Sequence, residues 1–173
     1  MTDKYIAVSA AGNLTETTAT VTSSGVANAG NVVALDSTGH LDNTVLPTGL
    51  GAETASIVCS ENLASGDLVN IYNNAGTPNC RKADASAANA GKLACGFVLS
   101  AYTSAQSATV YLDGTVSGLT GLTAGTAMFL SGTTPGATTA TAPTTTGYIC
   151  QNIGIAISTT AMRFIAGRPV IRA

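Results

Sequence analysis

The apolar positions of this chain fall in short runs separated by glycine, asparagine, aspartate and threonine. From residue 53 onward these runs alternate apolar and polar side chains, the period of a strand with one buried face. No amphipathic stretch exceeds two helical turns, so the sequence predicts low helix content. The densest patterning lies in residues 108–132, ATVYLDGTVSGLTGLTAGTAMFLSG, where apolar runs occupy 110–112, 116–122 and 128–130. Asp113-Gly114 separates the first two. Asp-Gly between apolar runs is a strong hairpin signal, because both turn positions can require φ > 0. Gly118, Gly121 and Gly125 punctuate the rest. The expectation is strand, tight turn, strand, glycine-rich corner, strand, with further strands added from Glu53 to the C-terminus.

Taken in order, residues 1–22 alternate weakly around the turn signal Gly12-Asn13 and then run through TETTATVT, rich in β-branched threonine. They predict a hairpin or extended arm without its own core. Residues 32–35 predict a short strand, 36–39 (Asp-Ser-Thr-Gly) a loop of turn formers, and 40–45 a helical turn or a strand. Residues 47–52, with Pro47, Gly49 and Gly51, read as a linker or hinge. Strands are expected at 57–59, 68–72, 93–102, 109–112, 148–157 and 162–166, with turns or loops at 62–67 and 73–79. Residues 86–92 read as a loop or one helical turn. Gly154 marks a bulge or a close approach, and TTPGATTATAPTTTG (133–147) reads as an extended strand or ordered loop. The fold class expected is all-β: a β-barrel or β-sandwich over 53–173, preceded by an extended N-terminal arm or small β-subdomain over 1–50. Strands spaced about 8–15 residues apart set the rhythm of such folds.

Composition sharpens this picture in one respect. Hydrophobic residues are 45% and charged residues only 9%, with a net charge of −2, against roughly 25% charged in an ordinary soluble domain. No charged residue occurs in 93–112 or 114–162. Interface cores are depleted in charge, so this half is expected to be covered largely by other subunits. A mean hydropathy of +0.32 does not indicate a membrane span, because the uncharged stretch is broken repeatedly by glycine and proline and is crowded with threonine. A transmembrane barrel would want aromatic girdles, and tryptophan is absent. The N-terminal MTDKYIAVSAAGN lacks an apolar signal core, which predicts synthesis in a reducing compartment and free cysteines. Cys59, Cys80, Cys95 and Cys150 form no Cys-x-x-Cys pair. They read as small buried apolar residues, with Cys95 and Cys150 fitting that reading well.

Candidate chemistry is sparse. His40 is the single histidine. With Asp42 two residues on, it would share a strand face, but a zinc or acid–base site needs further groups. Arg81-Lys82 and the trio Arg163, Arg168 and Arg172 are the only basic clusters, and a pI of about 5.1 argues against a nucleic-acid-binding domain. No dinucleotide or Walker glycine loop and no Gly-x-Ser-x-Gly elbow is present. A glycosidase carboxylate pair would normally bring aromatic platforms, which this chain lacks. No catalytic, cofactor-binding or metal-ligating residue is therefore expected.

The run GDLVNIY … RKADASAANAGKLACGFVLSAYTSAQSATVYLDGTVSGLTGLTAGTAMFLS, followed by PGATTATAPTTTGYICQNIGIAIS, resembles the β-rich structural proteins of tailed bacteriophages. These are capsid decoration (cement) proteins and domains of head and tail fibres. AGNVVALDSTGHLDNTVLP (29–47) is similar to a phage module that precedes such domains. The resemblance covers most of 29–165 through turns and strand cores. It implies a virion structural protein that acts by binding, as a homotrimer, on the outside of a capsid. There it would cross-link neighbouring capsomers, with the major capsid protein as partner and with no cofactor, metal, nucleic acid or membrane. A fibre or receptor-binding module is the alternative implied, and a glycan hydrolase the enzymatic one. Fold-level likeness carries function only by analogy.

Overall fold

The computed structural model describes residues 3–46, 52–86 and 91–173. The expected hinge at 47–52 falls almost entirely outside these residues, as does the centre of the 86–92 segment. The described chain is all-β, with two short 3-10 turns and no α-helix. It forms two compact units, residues 1–51 and 52–173.

The first unit is a hairpin followed by loops. Strand β1 (Lys4–Val8) pairs antiparallel with β2 (Leu14–Thr18). Gly12, at φ +82, turns the chain between them. Beyond β2 come 3-10 turns at Gly25–Asn28 and Asn43–Val45. The strand expected at 32–35 is absent. Val33 makes one isolated parallel bridge to Thr20, and with no further strand alongside, the segment has nothing to extend a ladder against.

The second unit contains a closed five-stranded barrel in the order β3-β5-β4-β6-β7. Its strands are β3 (Thr54–Cys59), β4 (Leu68–Asn74), β5 (Thr77–Lys82), β6 (Gly96–Phe97) and β7 (Ser107–Tyr111). Closure comes from β3, which pairs parallel with β5 and antiparallel with β7. A curled half-barrel sheet follows, in the order β10-β9-β11-β12-β8. It comprises β8 (Gly114–Ser117), β9 (Ala127–Leu130), β10 (Thr138–Thr139), β11 (Ile149–Ala156) and β12 (Ala161–Phe164), with β13 (Pro169–Ile171) pairing β11. One apolar cluster fills the barrel, including Ile57, Cys59, Val69, Cys80 and Val110. A larger one joins barrel and half-barrel, including Leu68, Phe97, Leu130, Ile153 and Phe164. Adjacent residues Leu68 and Val69 serve different clusters, so β4 is buried on both faces where it starts.

Several expectations are corrected. Asp113-Gly114 is a turn, with Gly114 at φ +127, but it does not make a hairpin. Both edges of β7 are already taken, by β3 and β6, so β8 crosses to the half-barrel and pairs with β12. The loop expected at 73–79 is instead a tight hairpin in which β4 and β5 pair through Asn74↔Thr77. Ala75 and Gly76 have φ of 50° and 93°, the two positive values a type I′ turn needs. The strand expected over 93–102 shrinks to β6. Ala94 and Phe97 join the inter-sheet cluster while Val98 points into the barrel, so the run is apolar because both sides are buried. Residues 133–147 are ordered turns with a two-residue strand, β10. Residues 167–173, expected only to end the chain, supply β13.

The bulge expected at Gly154 is present. The register of β11 on β9 shifts between Asn152 and Gly154, and Gly154 sits at φ +136. A Cβ there would lie far inside van der Waals contact distance of the Arg163 carbonyl oxygen on the neighbouring strand. Gly154→Ala should therefore destabilise the second unit by about 3 kcal/mol or more. Gly118→Ala, at φ +80 in open space, should cost only about 1–2 kcal/mol. Denaturant unfolding of the two variants beside the parent measures the difference, and equal losses would refute the close-approach account.

Candidate functional site

The residues with candidate chemistry are dispersed. His40 Nδ1 lies 3.0 Å from Thr38 Oγ1, while the Asp42 carboxylate turns away to cap the next 3-10 turn, accepting from the Thr44 amide at 2.9 Å. The structure thus does not make His40 and Asp42 an acid–base pair. His40 belongs to a loop organised by Asp36. One Asp36 carboxylate oxygen accepts from the Thr38 amide at 2.8 Å, the Thr38 hydroxyl at 2.7 Å and the His40 amide at 3.0 Å. These donors, the His40 amide first, hold the Asp36 carboxyl down at about 2. The Thr44 hydroxyl and then its amide lower Asp42 likewise. Among the described residues no three His, Cys, Asp or Glu side chains gather as a metal site would require.

The basic clusters are separated too. Arg81 Nε donates to Asn70 Oδ1 at 3.1 Å, and its guanidinium lies 4.1 Å from the Tyr72 ring centroid. Lys82 pairs with Asp67 at 3.2 Å. Both are committed to the barrel wall. Arg163 pairs with Asp113 at 3.2 Å, whereas Arg168 and Arg172 are exposed and flank β13.

All four cysteines are free, and the expected burial holds for two of them and not for the two that fitted it best in sequence. Cys59 and Cys80 are fully buried, as register partners on β3 and β5 inside the barrel, while Cys95 and Cys150 are half-buried. Burial first, and then the neighbouring Cys59, pushes the Cys80 thiol up to about 11. It is a packing residue, not a nucleophile. A cleft of about 450 Å³ lies in the second unit and is walled by Leu119, Leu122, Thr126, Met128 and Thr138, with Asp67 at one side.

The notable surfaces are apolar. In the first unit only Thr20 is buried among the described residues, while nine large aliphatic side chains are exposed. Ile6, Val8 and Leu14 are 64%, 68% and 76% exposed. They share one face of the hairpin, because Ile6 and Val8 are two apart on β1 and Leu14 is the register partner of Val8. The Lys4–Glu16 ion pair lies diagonally across the same face, with Glu16 the register partner of Ile6, so the apolar part is the end nearer the turn. The sequence marked this segment as lacking a core. It did not mark which face would be bare, because that depends on the hairpin register.

Comparison of the chain with protein-family models, with curated proteins and with solved structures finds no match. No helix among the described residues is long and apolar enough to cross a membrane.

The Asp36 loop yields a pH test. Its folded pKa lies below the usual carboxylate value, so the contribution of this carboxylate is complete above about pH 4 and is lost only as pH falls through about 2. Carboxyl-carbon NMR should show Asp36 titrating near pH 2, and Thr38→Val should move it upward. A midpoint near 4 in the parent would show that the three donors do not engage it.

Proposed function

We propose that this chain is a structural component of a bacteriophage virion. It binds the outside of the capsid as a homotrimer, contacts the major capsid protein and stabilises the shell by linking neighbouring capsomers. It acts by binding and not by catalysis. The observation that carries this reading is the first unit: a two-stranded hairpin with an apolar face and no core. A two-stranded hairpin is at best marginally stable in water, and exposed apolar patches mark interaction sites. Such a unit is suited to pairing with another chain. The second unit, which holds both apolar clusters, is suited to being the body so attached. The resemblance of 29–165 to phage decoration and fibre proteins supplies the class of partner.

Stabilisation then follows from linkage. A protein that binds only the assembled shell shifts assembly by its binding free energy. Contacts of roughly 1,200–2,000 Å² per site, repeated over a lattice, would resist outward pressure.

Removing residues 1–22 should abolish particle binding while the remaining chain keeps its β-sheet circular dichroism and cooperative unfolding. Undiminished binding by the truncated chain would refute the role given to the hairpin. Quantitative mass spectrometry of virions that carry this chain should give a simple lattice ratio to the major shell protein. A handful of copies per particle would instead favour a fibre or receptor-binding module.

A further inference from the structure

The half-barrel sheet has an outer face opposite the shared core, and its composition follows from the registers. Ala127, Ile155, Arg163 and Thr115 form one outward row across β9, β11, β12 and β8. Ile157 and Ser117 lie in the next outward row, and Ile165 follows Arg163 two residues on. Ile155, Ile157 and Ile165 are 43%, 51% and 58% exposed. The only charged side chain in these rows is Arg163, and Asp113 of the same chain neutralises it at 3.2 Å. The other charged residues of the second unit lie in segments 53–92 and 168–172, so this sheet face carries no unpaired charge. An ordinary small-domain surface is about 25–35% charged.

We infer that this face is covered by a second copy of the chain. The inference deepens the proposed homotrimer by naming its contact surface, and it rests on that reading. Charge argues for a copy as the occupant. A face without unpaired charge matches another like it, whereas a charged partner would lose hydration there without gaining a counter-charge. The neighbouring strip on β13 fails the same test, because Arg168 and Arg172 are exposed there and would lose hydration against a face that offers no unpaired counter-charge. Area agrees. With strands about 4.8 Å apart and about 3.3 Å per residue, four strands of which three have four residues span a patch of roughly 20 by 15 Å before the side chains add relief. That is on the order of a third of the roughly 800 Å² per partner of a standard interface, which makes the association one that depends on concentration. Arg163 stands within the patch, between Ile155 and Thr115, and is neutralised there by Asp113.

Sedimentation of the full chain over a wide concentration range is the test. The parent should associate into a defined oligomer, and Ile155→Lys/Ile165→Lys should weaken association at least tenfold with unchanged circular dichroism and unfolding midpoint. Val58→Lys, on the outer surface of the barrel, should leave it unchanged. If the lysine pair impairs folding, Ile155→Thr/Ile165→Thr keeps the β-branched backbone preference and should still weaken association several-fold. An oligomer that withstands these substitutions would overturn the named face while leaving the homotrimer standing. A parent monomeric at every concentration would overturn both, and particle binding by the hairpin would remain a separate result.

Discussion

The second unit depends on the packing of Phe97. Its ring stacks on Tyr111 of the barrel with centroids 5.4 Å apart, and meets Phe164 of the half-barrel at 5.5 Å and a tilt of 60°. Both are favourable aromatic geometries, worth about 0.5–1.5 kcal/mol each beyond the area they bury. The chain has only three phenylalanines and no tryptophan, and two of the three meet here. Around them Leu68, Met128, Leu130 and Ile153 close a core to which neither sheet could contribute alone. The half-barrel does not close on itself. Its inner face is buried only because the barrel presents Phe97 and Leu68 to it.

Polar groups in that junction are tied down without charge. Gln151 of β11 accepts from the Ala94 amide at 2.9 Å and donates to the Ala94 carbonyl at 3.0 Å, joining the half-barrel to the segment leading into β6. Asn70 donates to the Leu93 carbonyl at 2.9 Å and accepts from Arg81. Among the described residues no buried side-chain nitrogen or oxygen lacks a partner. Amides and hydroxyls thus do inside this fold what charges cannot do cheaply. In the second unit the charges other than the Arg163–Asp113 pair fall in residues 53–92 and 168–172, leaving one sheet face with that neutralised pair alone. The same economy shapes the first unit, where aspartates organise turns through backbone amides and the hairpin face is left apolar at the end nearer its turn.

Much of the fold was legible. The all-β class followed from the period of two, the bulge from Gly154 inside an apolar run, the hairpin of the first unit from Gly12-Asn13, and the loop at 36–39 from its turn formers. The 73–79 hairpin is hard to read from sequence, because Ala75 stands where a type I′ turn usually has Asn or Asp and proline, here Pro78, is uncommon inside sheets. The cysteines were legible only in part: all four read as buried, and Cys59 and Cys80 are, while Cys95 and Cys150 are half-buried. Cys95 and Cys150 sit in the more apolar neighbourhoods of the sequence, yet Cys59 and Cys80 point into the barrel. Side-chain direction is set by strand register, which short sequence windows do not encode.

What the sequence by itself determined is local: where the chain extends, where it turns, and that it has too few charges to clothe its whole surface. These follow from φ/ψ preferences and side-chain polarity within a few residues. What only the tertiary structure decided is partnership. Asp113-Gly114 turns the chain in either case, but whether β8 folds back on β7 depends on whether the edge of β7 is free. Closure of the barrel by β3 and β6, which are distant in sequence, occupies that edge and sends β8 into a second sheet. Hydrogen-bonding edges and apolar faces are shared among strands from the whole unit, so their assignment is settled only when all of them are in place.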